Sequence, residues 1–206
     1  MSPRRATEVL IVLTILVISM GGMIRIYDAG ESCPDWPTCF GTWGFDISEE
    51  EQGEWWEENP DEADSRGSGH RYSSFQIFTE WFHRLLAGAF VGPLVVLNWL
   101  LVRKETWTSP RVKGVSSLTL GLILWQGAIG WLTVKMDNEN WSVAIHLGSA
   151  MAFMLSLIWL WMEIRRDEDE LPDWISFDPL IGMKWRKLVG ILSLIHISEP
   201  TRRTVI

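Results

Sequence analysis

Cysteine is nearly absent: Cys33 and Cys39 are the only two in 206 residues. Two thiolates with no suitable histidine nearby fall short of a four-donor metal cage. Basic side chains are also outnumbered, 18 Lys and Arg against 26 Asp and Glu, giving a net charge of -8. Much of the acidic excess lies in one stretch: Glu49, Glu50, Glu51, Glu54, Glu57, Glu58, Asp61, Glu62 and Asp64. A surface of that sign argues against nucleic acid or anionic lipid as a partner on that side. A clean small-x-small cleavage site is missing after the first apolar run. Arg4 and Arg5 precede that run, which is therefore read as an uncleaved membrane helix rather than a signal peptide.

What the chain has in abundance is apolar sequence, 47% of residues with 14 Trp, sorted into long runs separated by charged loops. Four runs are long enough to cross a bilayer, which takes roughly 20 helical residues. They are Val9 to Ile26, Ile77 to Val102, Val115 to Val134 and Trp141 to Ile164, with a fifth run beginning near Leu188. The expected fold class is all-α, an integral membrane four-helix bundle over 1–164 that contacts membrane lipid. A linker over 165–187 and the start of a fifth helix over 188–206 follow. Arg4, Arg5, Arg103, Lys104, Arg111, Lys113, Arg165, Arg166, Lys184, Arg186 and Lys187 all fall on one side of such a bundle. That side is expected to be cytoplasmic, and the loop 27–76 and the Lys135–Asn140 connection lie on the other. The acidic stretch in that loop is read as a solvated, partly disordered insertion.

Ionisable side chains inside a bilayer are costly, so they are the first functional candidates. His83 lies a turn or two inside the outer end of the second span, and His146 a similar distance inside the fourth. Both spans run from outside to inside, so equal sequence depth means equal membrane depth, at about 1.5 Å per residue. Two neutral imidazoles facing each other across a bundle suit the axial positions of a haem iron. The plainer alternative is a pair of unrelated interfacial histidines bonded to carbonyls. Glu80, three residues before His83, shares its helix face and suits proton transfer at a cofactor, or else an ion pair with Arg84 or Arg25. Arg25 and Arg84 could pair with haem propionates or snorkel to the interface. Gly21, Gly22, Gly88, Gly92, Gly127 and Gly130 are small-residue positions that permit close helix approach or leave room for a flat macrocycle. Cys33 and Cys39 face the oxidising side, where a disulfide is permitted. That pair would be either a staple for its loop or a redox relay.

Several segments together resemble the haem A synthase family (CtaA/COX15-like). They are Gly21-Gly22-Met23-Ile24-Arg25, Ser32-Cys33-Pro34-Asp35-Trp36-Pro37-Thr38-Cys39 and Glu80-Trp81-Phe82-His83-Arg84. Gln126-Gly127-Ala128-Ile129-Gly130-Trp131-Leu132-Thr133-Val134 and Ala144-Ile145-His146-Leu147 follow in the same order. The resemblance implies an oxidoreductase of the inner (cytoplasmic) membrane that converts a methyl group of haem O to a formyl group, making haem A for cytochrome oxidase. It implies that His83 and His146 are the axial pair of the haem O site and that Glu80 is the essential acidic residue beside it. Cys33 and Cys39 match the family's outer-loop pair. Haem O synthase and cytochrome oxidase assembly proteins become the expected partners. The family is built of two similar four-helix halves, so haem b is expected in a second half, and this chain corresponds to the N-terminal half. The segment Ser193 to Arg203 breaks the fifth apolar run and resembles translated adapter sequence. It is read as a non-native tail, against the alternative of a genuine short terminus, and His196 is given no ligand role. Two rival functions stand: a membrane haem-b electron carrier without substrate chemistry, and a membrane thiol-disulfide oxidoreductase working through Cys33 and Cys39. An assembly factor without catalysis is a third.

Overall fold

A computed structural model describes residues 1–62, 66–136 and 138–170. The chain divides into a unit over Met1–Asp167 and a second over Glu168–Ile206. The expected fifth helix, most of the linker and the tail lie outside the described residues. Every regular element among the described residues is helical: α1 (Pro3–Ile26), α2 (Glu49–Glu58), α3 (Ser74–Leu85), a π-helical turn (Leu86–Val91), α4 (Gly92–Lys104), α5 (Pro110–Lys135) and α6 (Asn140–Asp167). α3, the π turn and α4 form one continuous span, Ser74–Lys104, of 31 residues. With α1, α5 and α6 it gives four helices long and apolar enough to cross a membrane.

The helix starts are written in the sequence. Ser2 and Ser109 cap α1 and α5, each followed by a proline whose missing N–H costs nothing at that position. Ser73 and Gln76 form a reciprocal capping box at α3. Inside the second span, Pro93 cannot donate to the preceding turn, and the helix widens just before it. The Gly92 amide there reaches the Ala87 carbonyl, a five-residue step.

Within the unit, α1 packs on α6, α3 and α4, while α5 packs on both α4 and α6. The spans thus form a ring in which the second and fourth stand diagonally. One core cluster joins Leu10, Val91, Val95, Phe153 and Leu157 at mid-bundle. Another joins Val102, Val112, Val115, Leu160 and Ile164 near the basic end. The outward faces stay apolar: Leu124 is 67% exposed, Leu155 64% and Val12 58%. Such faces belong against lipid, and the polar groups obey the same solvent. Thr7, Thr14, Thr119 and Thr133 each donate to the carbonyl four residues back.

The outer loop differs from expectation. The acidic run is not wholly irregular, because Glu49–Glu58 folds as α2. Ser48 and Glu51 form a capping box, and three glutamates in the first turn complement the helix dipole. The Glu51 carboxyl is held below its usual range by the Ser48 hydroxyl and then by the Ser48 amide. Gln52 and Trp56 are buried on the inner face. The Gln52 amide group mimics a strand partner: it accepts from Tyr72 N at 2.8 Å and donates to Tyr72 O at 3.0 Å. A loop core of Cys33, Cys39, Phe40, Ile47, Trp56, Tyr72 and Ile77 then sits over the bundle end.

Candidate functional site

Glu80 and Arg84 lie one turn apart on α3 and form a buried ion pair. Glu80 is 4% exposed. Its Oε2 accepts from the Ser32 hydroxyl and from the Cys33 amide, both at 3.0 Å, while Oε1 takes Arg84 Nη2. Arg84 also donates to the carbonyls of Cys33 (2.6 Å), Asp35 (2.5 Å) and Thr38 (3.2 Å). Only a guanidinium offers enough donors in one plane to serve four acceptors at once. Cys33 and Cys39 are joined through a 2.00 Å S–S bond. Within that loop Asp35 accepts from Thr38 and from the Gly41 amide. The sequence suggested either that Glu80 serves proton transfer at a cofactor or that it pairs with Arg84 or Arg25, and the structure shows the pair with Arg84. In the structure both side chains are committed to the disulfide loop, which they fasten to the top of α3. Arg25 instead donates to Asn140 at 3.0 Å, tying the end of α1 to the start of α6. Asn138 donates to Gly30 O at 2.6 Å, and Lys135 reaches Glu62 at 3.2 Å. The long loop and the short connection therefore meet at one end of the bundle.

His83 and His146 stand on the diagonal spans at that same end. Each ring is backed by a glycine of a neighbouring helix. A Cβ on Gly21 of α1 would lie 3.4 Å from His83 Cε1, and one on Gly130 of α5 would lie 3.1 Å from His146 Cε1. His83 Nδ1 is 3.1 Å from the Val17 carbonyl. His146 Nδ1 is 3.2 Å from Gln126 Nε2, whose amide also donates to the His146 carbonyl at 3.0 Å. Ser149 completes this group through Gln126 Oε1 at 2.5 Å. Among the described residues neither Nε2 has a hydrogen-bond partner.

These features fit a haem. Among the described residues there is no cluster of three or more His, Cys, Asp and Glu that could hold a bare ion. Two imidazoles suffice for a metal that brings its own equatorial donors. A side chain at Gly130 would press on the His146 ring, whereas one at Gly21 would make ordinary contact with His83.

Sequence reading found the histidines, the cysteines, Glu80 and two of the glycines that matter. It missed Gln52 and Ser149, and it read Ser32 and Gln126 only as parts of motifs. Ser149 is three residues beyond His146, on its face, and that spacing was an available signal. The Ser48-x-x-Glu51 pattern likewise announced α2.

The family described as cytochrome oxidase assembly protein, COX15-CtaA, matches residues 4–195. The "Heme A synthase" of Shewanella oneidensis is 32% identical over 158 residues, covering 77% of this chain and 44% of that protein. That of Roseobacter denitrificans is 28% identical over 204 residues, covering 90% and 51%. "Heme A synthase COX15" of Homo sapiens is 26% identical over 201 residues, covering 83% and 47%. The chain spans about half the length of these relatives or less. No solved structure matches.

Proposed function

This chain belongs to the COX15-CtaA family of cytochrome oxidase assembly proteins, and on that premise we propose that it is the N-terminal haem-binding half of a haem A synthase. Its substrate is haem O, held between His83 and His146, and the reaction takes a methyl substituent of that porphyrin to a formyl group. The observation that carries the reading is the pair of histidines on diagonal spans, each with a glycine of a neighbouring helix beside its ring. The bound iron supplies the redox chemistry. His83 and His146 hold and centre the macrocycle, while the surrounding apolar helices exclude water from it. Arg25, at the outer rim, is the cation placed to meet a propionate.

Glu80 is the proposed proton acceptor. With water as the oxygen source, each two-electron oxidation of the methyl carbon releases two protons, and Glu80 is the carboxylate one turn from His83 placed to accept them. Ser32, Cys33 and Arg84 fix its position. The disulfide Cys33–Cys39 shapes the loop that supplies two of those contacts, so its role here is to position Glu80. Haem b belongs to a second four-helix half. The basic bundle end faces the cytoplasm, loop 27–76 faces the outside of the inner membrane, and haem O synthase is the partner that delivers substrate.

The test is the haem content of the chain and its Glu80→Gln variant, each purified from cells that make haem O. The expected result is hydroxylated or formyl haem from the parent and unmodified haem O from Glu80→Gln, with equal loading. Oxidised haem from Glu80→Gln at the parental level would remove the proposed role of Glu80. Haem b alone in both would favour the electron-carrier reading.

A further inference from the structure

The two histidine seats are built from opposite hydrogen-bonding groups. The partner of His83 Nδ1 is the Val17 carbonyl, which can only accept. The proton of a neutral His83 therefore sits on Nδ1, and Nε2 keeps a bare lone pair. The partner of His146 Nδ1 is the Gln126 side-chain amide. The orientation of that amide is fixed by a second contact. Its nitrogen lies 3.0 Å from the His146 carbonyl oxygen. Turning the amide over would set two acceptor oxygens against each other. The Ser149 hydroxyl lies 2.5 Å from Gln126 Oε1 and 3.0 Å from the His146 carbonyl oxygen, and its single proton serves one of the two. Gln126 therefore donates to Nδ1, and the proton of a neutral His146 is left on Nε2, the nitrogen an iron would need.

We infer that Gln126 and Ser149 form a latch that makes His146 the releasable axial ligand, while His83 is the standing one. This rests on the reading that a haem lies between the two rings. For His146 to bind through Nε2, its proton must pass to Nδ1, where it meets the NH2 of Gln126. Two donors then face each other until the amide turns away. Gly130 keeps a side chain off this edge of the ring, since a Cβ there would lie 3.1 Å from Cε1. No such conflict exists at His83. The asymmetry answers a chemical difficulty, since an iron held equally by two histidines offers no open position. Gln126 is thus a positioning residue that acts through His146.

The test loads the full chain in detergent with ferric haem b, records the low-spin fraction, then reduces the sample and measures carbon monoxide association. That association is limited by departure of an axial histidine. Gln126→Leu keeps the bulk and removes the donor. The expected result is a higher low-spin fraction and association slowed about tenfold, the scale of one mispaired hydrogen bond. A merely structural Gln126 would loosen His146 and speed association when removed, so an unchanged or faster rate overturns the latch. His146→Gly and His83→Gly supply an independent arm, read with added imidazole. His146→Gly should keep its haem in a high-spin form that imidazole returns to low spin, whereas His83→Gly should lose most of its haem. Equal haem retention in the two variants overturns the inequivalence. A parent chain that binds no haem b overturns the haem reading and the latch with it.

Discussion

The two ends of the bundle are built on different principles. At the basic end, Val102, Val112, Val115, Leu160 and Ile164 fill the space between α4, α5 and α6 with aliphatic side chains. At the other end, glycines face histidines, a buried ion pair anchors a disulfide loop, and a short helix roofs the bundle. Membrane helices gain little from burying apolar groups against each other, because lipid is just as apolar. The basic end therefore needs only shape. Polar groups are expensive in the same setting, and their concentration at this second end makes it the candidate site.

The largest expected effects separate the two ends outright. His83→Ala or His146→Ala should abolish a low-spin ferric haem spectrum, because removing either imidazole opens the iron. Val102→Ala or Ile164→Ala should cost stability without changing that spectrum. A low-spin signal that survives both histidine changes would erase the contrast. Next in size is Arg84→Met, which strands a buried carboxylate and three loop carbonyls. Removing one partner of a buried pair costs about 3–5 kcal/mol. Thermal unfolding in detergent should show that loss, together with faster reduction of Cys33–Cys39 by a water-soluble thiol.

Gly130→Ala and Gly21→Ala sharpen the comparison within the outer end. A methyl at Gly130 would press on His146 at 3.1 Å, whereas one at Gly21 would make ordinary contact with His83 at 3.4 Å. Electron paramagnetic resonance of the ferric haem should shift for Gly130→Ala and stay put for Gly21→Ala. Within the bundle, Asn98→Leu removes a buried bond to Thr7 of 2.9 Å. Interhelical bonds of this kind average about 0.6 kcal/mol, so a small fall in melting temperature with unaltered haem binding is expected.

The smallest effect concerns α2. The Glu51 carboxyl is lowered by its bonds to Ser48. A group depressed in the folded state stabilises it above its unfolded value, and that contribution fades as pH falls through the folded one. Fluorescence of Trp55 and Trp56 should therefore report loosening of α2 below the ordinary glutamate range. Ser48→Ala should remove that step.

The sequence made the bundle legible because bilayer thickness imposes a length on each apolar run, and the four spans follow directly. It also exposed the histidines, because ionisable side chains are rare at such depth. The spans proved longer than the apolar runs by about a turn at several ends. Capped starts such as Ser2-Pro3 and Ser109-Pro110 lie in polar sequence that hydropathy alone passes over. α2 was hidden for a related reason: nine acidic residues dominate the stretch, while its buried face rests on Gln52, a polar residue, and Trp56. Gln126 and Ser149 were invisible as a pair because they sit on different helices, and only packing of α5 on α6 joins them. The fastening of Glu80 to the Ser32 hydroxyl and Cys33 amide, and of Arg84 to loop carbonyls, was equally out of reach, since backbone donors and acceptors carry no sequence identity.

The most direct test of the central claim is extraction and chromatographic identification of the haem bound to this chain, purified from cells that also make haem O. The account predicts haem O or its hydroxylated and formyl products, held with the low-spin spectrum of two imidazole ligands. Haem b alone, or no haem in a chain that is folded and carries its disulfide, would contradict it.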